Sequence, residues 1–99
     1  MAVRVTSGTT TANTVTTVTF ANWYGEIEVV NRSTNDMWAR FDGIDPTIAG
    51  DECSYVPPES YLQVANPSPA PQPGSGQTGS TTVKIISASA ATYTVSGGM

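Results

Sequence analysis

Threonine and valine recur at alternate positions through much of this chain, and that alternation constrains the fold more than any other feature. Both side chains are β-branched and stiff at χ1, so they favour the pleated backbone over the helical one. Fifteen of the 99 residues are Thr, whereas there is one Leu and one Lys. Helical bundles and coiled coils draw on Ala, Leu, Glu and Lys, so neither suits this composition. Residues 14–20 place Val18 and Phe20 on one face, with Thr17 and Thr19 on the other. Residues 26–31 set Ile27 and Val29 against Glu26, Glu28 and Val30. Residues 37–42 set Met37, Ala39 and Phe41 against Trp38, Arg40 and Asp42. Further strands are expected at 3–6, 55–56, 61–65, 81–87 and 91–96, with Val83 and Ile85 on one face against Lys84 and Ile86, and Tyr93 and Val95 inward.

The turns are equally local in origin. Asn31 to Asp36 is a polar cluster between two strands and reads as a hairpin connection, and Ala88-Ser89-Ala90 suits a second, tight one. Asp42-Gly43 and Asp45-Pro46 mark another turn, and Pro57-Pro58 stops the strand before it. Six to eight short strands at this spacing predict an antiparallel β-sandwich or small barrel, jelly-roll-like. A chain of this length buries about 64% of its extended surface, enough for one core. The expected organisation is an N-terminal strand or arm over 1–20 and a sandwich over 21–99. Two stretches stand out. Thr6 to Thr19 holds eight Thr, as a strand or as an extended arm that orders against a neighbour. Residues 66–80 form a long loop, Pro-rich and then Gly/Ser-rich, that is either a tolerated insertion or a partner contact.

Several chemistries lack their residues. There is no His, so imidazole metal ligands and Ser-His triads are excluded, and the lone Cys53 closes no intramolecular disulfide. Net charge is −4, with Arg4, Arg32, Arg40 and Lys84 as the cations. That is too sparse a set for a phosphate backbone, so no nucleic acid is expected as a partner. No apolar run spans a bilayer, so no membrane is expected either, and the start shows no secretory h-region, which points to synthesis in a reducing cytoplasm. Asp42, Asp45, Asp51 and Glu52 are close in sequence, but their spacing fits neither an EF-hand nor a recognisable catalytic pair; turn formation is the simpler reading. Asn31-Arg32-Ser33 matches a glycosylation triplet and is read as a turn. No cofactor, metal or enzymatic activity is expected. Trp23 and Trp38 are large surfaces for so small a domain; each is core or a protein contact.

The strand-and-turn run Glu28-Val29-Val30-Asn31-Arg32-Ser33, Met37-Trp38-Ala39-Arg40-Phe41-Asp42-Gly43 and Asp45-Pro46-Thr47 resembles a small β module of tailed-bacteriophage virion proteins. The likeness continues through Tyr55-Val56-Pro57-Pro58, Val83-Lys84-Ile85-Ile86-Ser87 and Tyr93-Thr94-Val95-Ser96-Gly97. It covers residues 26–97; the Thr-rich start lies outside it and the 66–80 loop departs from it by length. The resemblance implies a structural protein on the capsid exterior, a head decoration (cement) protein. It would bind the major capsid protein and further copies of itself, a trimer being favoured by local capsid symmetry. Contacts would come from Val3, Val5, Thr10 and Val15 in the arm and Pro69, Pro71 and Pro73 in the loop. A tail or head–tail connector component, and a carbohydrate- or receptor-binding sandwich using exposed aromatics, are the alternatives.

Overall fold

A computed structural model describes residues 4–67 and 79–98. The chain forms eight strands: β1 (Arg4–Thr9), β2 (Thr16–Phe20), β3 (Glu26–Asn31), β4 (Met37–Arg40), β5 (Ser54–Val56), β6 (Ser60–Ala65), β7 (Thr81–Ile86) and β8 (Thr92–Gly98). They build two four-stranded sheets, in the orders β1-β8-β3-β6 and β2-β7-β4-β5. Every pairing is antiparallel.

The pairings are nested. β1 pairs with β8, β2 with β7, β3 with β6 and β4 with β5. A single long hairpin rolled up on itself gives this pattern, and the β3–β8 and β4–β7 ladders close the roll. The result is a jelly roll, the two-sheet solution to burying the inner faces of eight antiparallel strands. The sandwich alternative therefore holds over the barrel. Residues 4–9 and 16–20 are strands, one on the edge of each sheet, and not an arm reaching away from the domain.

This topology overturns both expected hairpins. β3 and β4 lie in different sheets, as do β7 and β8, so 32–36 and 87–91 carry the chain across the sandwich. Asn31 makes the first crossing possible. It ends β3 pointing inward, fully buried, and its amide donates to the Val56 carbonyl of the other sheet (3.1 Å) and to the Asn35 carbonyl (2.7 Å). Its Oδ1 accepts from the Ser33 amide and hydroxyl at 3.0 and 2.7 Å. A polar side chain between two sheets is tolerable only when satisfied in this way. The same bonds leave the Asn31 amide no freedom to carry a glycan. At the second crossing the buried Ser87 hydroxyl donates to the Asp36 carbonyl (2.6 Å), tying the two crossings together.

The alternation read from sequence places the core correctly. Val18, Phe20, Ile27, Val29, Met37, Ala39, Val83, Ile85, Tyr93 and Val95 are all buried between the sheets. Each fully buried Val, Ile or Met contributes about 1.5–3 kcal/mol. Two inward glycines leave room for aromatic rings: a Cβ on Gly8 would lie 2.7 Å from the Tyr93 hydroxyl, and one on Gly97 would lie 2.7 Å from the Tyr24 ring. Tyr24 in turn meets Phe20 edge-on, centroids 5.7 Å apart. Thr81 fixes this end of the sandwich, its hydroxyl accepting from the Tyr24 amide (2.8 Å) and donating to the Asn22 carbonyl (3.0 Å).

Candidate interaction surface

With the inner faces filled, any function falls to the outer faces, the loops and the edges. In the second sheet, outward positions are set by register: Thr17 faces Lys84, Lys84 faces Arg40, and one step along the strands Ile86 faces Trp38 and Trp38 faces Tyr55. Val15 continues that second row one residue before β2. Val15, Ile86, Trp38 and Tyr55 therefore form an apolar stripe across the sheet. Ile86 is buried although it faces outward, and Val15 and Trp38 are half-buried. Tyr55 is 48% exposed and closes the stripe at the edge. Its ring meets Trp38 at 5.7 Å with a 39° tilt, and its hydroxyl donates to Asp36 (2.7 Å), which pushes the phenol pKa above its ordinary value.

The acidic residues of the 41–53 connection are ion-pair partners of this same sheet. Arg40 binds Asp42 through two nitrogens, at 3.1 and 2.5 Å, and Glu52 through a third (3.2 Å). Lys84 reaches Asp45 at 2.8 Å. The Arg40 guanidinium, first through its hydrogen bonds, holds the Asp42 carboxyl at about 2, against an ordinary 3.8. Asp42 also accepts from the Ile44 amide (3.1 Å), and Gly43 takes a positive φ of 82° that lets the chain turn there. Three of the four acids thus clamp the long connection onto β4 and β7. Among the described residues no group of His, Cys, Asp or Glu is placed to hold a metal ion. Two surface recesses, about 130 Å³ beside Glu26, Glu28 and Ser96 and about 200 Å³ beside Arg40, Phe41 and Ser54, fall below the ~300–1,000 Å³ of typical ligand pockets.

On the outer face of the first sheet one row runs Ser7, Thr94, Val30 and Tyr61, and the next runs Val5, Ser96, Glu28 and Gln63. Val5 and Tyr61 are 60% and 66% exposed, the most exposed of the large apolar side chains among the described residues, and they stand at its two opposite edges.

The residues singled out from sequence fall in three groups. Val5, Val15 and Trp38 lie on the outer faces just described. Thr10 does not: it is 2% exposed, its hydroxyl accepting from the Ala91 amide (3.0 Å) and donating to the Ser89 carbonyl (3.4 Å), so it has no surface to offer a partner. Trp23 is half-buried in the 21–25 connection, its ring against Gly25. Val3, Pro69, Pro71 and Pro73 lie outside the described residues. Trp38 and Arg40 share a face, but Trp38 packs on Tyr55 while Arg40 is taken by Asp42 and Glu52. Sequence reasoning passed over Ile86 and Tyr55 as partners of Trp38, because only sheet order shows that these strands are neighbours.

No helix among the described residues is long and apolar enough to cross a membrane. Compared with protein-family models, with curated proteins and with solved structures, the chain matches none.

Proposed function

We propose that this chain is a structural binding module of a tailed-bacteriophage virion, seated on the outside of the capsid as a decoration (cement) protein. The observation that carries the reading is the strand-and-turn resemblance over residues 26–97. Two further features are consistent with it. The jelly roll is a topology used in viral capsid proteins, although lectins and cupins use it too. Val5, Tyr55 and Tyr61 are exposed on outer faces and edges, and Ile44 and Ile48 on the 41–53 connection, where a protein partner can make contact. Its partners in this reading are the major capsid protein and other copies of itself. A protein that binds only the assembled lattice adds its binding free energy to that lattice, so no turnover is required of it.

Purified chain added to heads that lack it should co-sediment with them and raise the temperature at which they break. Binding to tails and not to heads would replace this reading with that of a tail or connector component. A second reading rests on the Trp38–Tyr55 pair, since tilted, partly exposed rings on a jelly roll also suit stacking against sugars. Retention on a glycan array that is lost in Tyr55→Ala would favour it.

A further inference from the structure

β1 and β2 are the edge strands of the two sheets on one flank of the sandwich; β6 and β5 are the edges of the other. Sheet edges are normally blunted by shortness, Pro, Lys or a bulge, because their unpaired backbone groups invite another strand. β5 follows that rule, with three residues running into Pro57-Pro58. On the β1/β2 flank the one such feature is Arg4, at the very start of β1. From Val5 to Gly25 the sequence contains no Asp, Glu, Lys, Arg or Pro, in a chain whose net charge is −4.

The direction of the free groups on β1 follows from the ladder. The Thr10 amide donates to the Ala91 carbonyl (2.9 Å), one step beyond the Thr9–Thr92 pair. Bonding alternates along an antiparallel pair. Thr6 and Gly8 therefore turn their backbone groups toward β8, and Val5, Ser7 and Thr9 turn theirs toward the open edge. The bond from the Arg32 amide to the Thr92 carbonyl, on the other side of β8, has the complementary phase such a ladder requires. Three donors and three acceptors at two-residue spacing match one kind of partner, an extended strand. An antiparallel copy of the same strand satisfies them all about a two-fold axis.

We propose that β1 pairs with β1 of a second copy of this chain, with the axis through Ser7, so that two four-stranded sheets become one of eight. Val5 then faces Thr9 of the second copy, and Ser7 faces its own counterpart. β-Branched pairs of this kind stabilise cross-strand contacts. Arg4 is the one charge on the flank, and about an axis through Ser7 each Arg4 lies opposite Thr10 of the second copy, so two acidic molecules meet there without opposing like charges. The pairing does not rest on the capsid reading, and it differs from the trimer expected from sequence.

The mass of the full chain in solution, followed over rising concentration, tests it. The expected result is twice the monomer's 10.3 kDa. Ser7→Pro removes an N–H that the β8 ladder does not use, so the fold should persist, judged by circular dichroism, while the dimer is lost. Ser7→Lys sets two ammonium groups across the axis and should give the same loss, relieved by salt. Ser7→Cys in a Cys53→Ser background should oxidise to a covalent dimer, whereas Thr17→Cys should not. A monomer at every concentration, a trimer, or a dimer indifferent to both Ser7→Pro and Ser7→Lys would overturn the proposal.

Discussion

Replacing Asn31 by Ala tests how the chain crosses between its sheets. The side chain is fully buried and makes four hydrogen bonds, to Asn35, Val56 and twice to Ser33. Its loss hits the Val56 carbonyl hardest, since that bond lies in the buried interior. Losing a buried partner costs about 1–3 kcal/mol and each part-buried bond about 0.5–1.5 kcal/mol. Ser33 still reaches the Asn35 carbonyl at 3.3 Å, which offsets one loss. The net is about 2–6 kcal/mol. A domain of this size has about 5–15 kcal/mol of stability in total, so the variant should melt at least about 8 °C lower. Urea unfolding followed by tryptophan fluorescence should show a lower midpoint with an unchanged slope. Ser33→Ala, which removes the hydroxyl's bonds to Asn31 and to the Asn35 carbonyl and the one it accepts from the Asn35 amide, should cost less, since none of these lies in the buried interior. An Asn31→Ala loss under about 1 kcal/mol would show that the buried network does not hold the crossing, and the reasoning would fail.

Three other perturbations probe separate parts of the fold. Gly97→Ala drives a Cβ to 2.7 Å from the Tyr24 ring and should destabilise by about 1–3 kcal/mol in thermal unfolding, with Gly98→Ala, which meets nothing, close to neutral. Thr81→Val keeps the shape but removes the hydroxyl between Asn22 and Tyr24, a loss of about 1–3 kcal/mol in the same assay. Asp42 should titrate by carboxyl NMR near 2, and Arg40→Met should return it toward 3.8. Because the folded value is depressed, the contribution of this pair is complete above the unfolded value and is lost as pH falls through the folded one. A midpoint unmoved by Arg40→Met would show that the guanidinium is not the cause.

The face each strand buries is legible in the sequence, since side-chain direction has a period of two and needs no knowledge of the partner. Met37, Ala39, Val83 and Ile85 are assigned by parity alone. Which sheet a strand joins is a different matter. The polar run Asn31 to Asp36 announces a change of direction, but a hairpin and a crossing begin with the same residues. The deciding partner, the Val56 carbonyl, lies 25 positions away. Ala88 to Ala90 is ambiguous for the same reason. Thr10 stands between Thr9 and Thr11 and has no local mark of burial; its partners, Ser89 and Ala91, lie about eighty residues downstream. The apolar stripe of Val15, Ile86, Trp38 and Tyr55 is likewise assembled from four separate segments. The acidic cluster was readable as turn-forming, but its ion pairs with Arg40 and Lys84 needed the sheet order.

The proposed output of this chain is adhesion to an assembled shell. An image reconstruction of heads assembled with the chain present should show ordered extra density of a two-sheet sandwich on the outer surface of the shell, removed when the chain is omitted. A shell bare on its outside, with the folded chain left in solution, would contradict it.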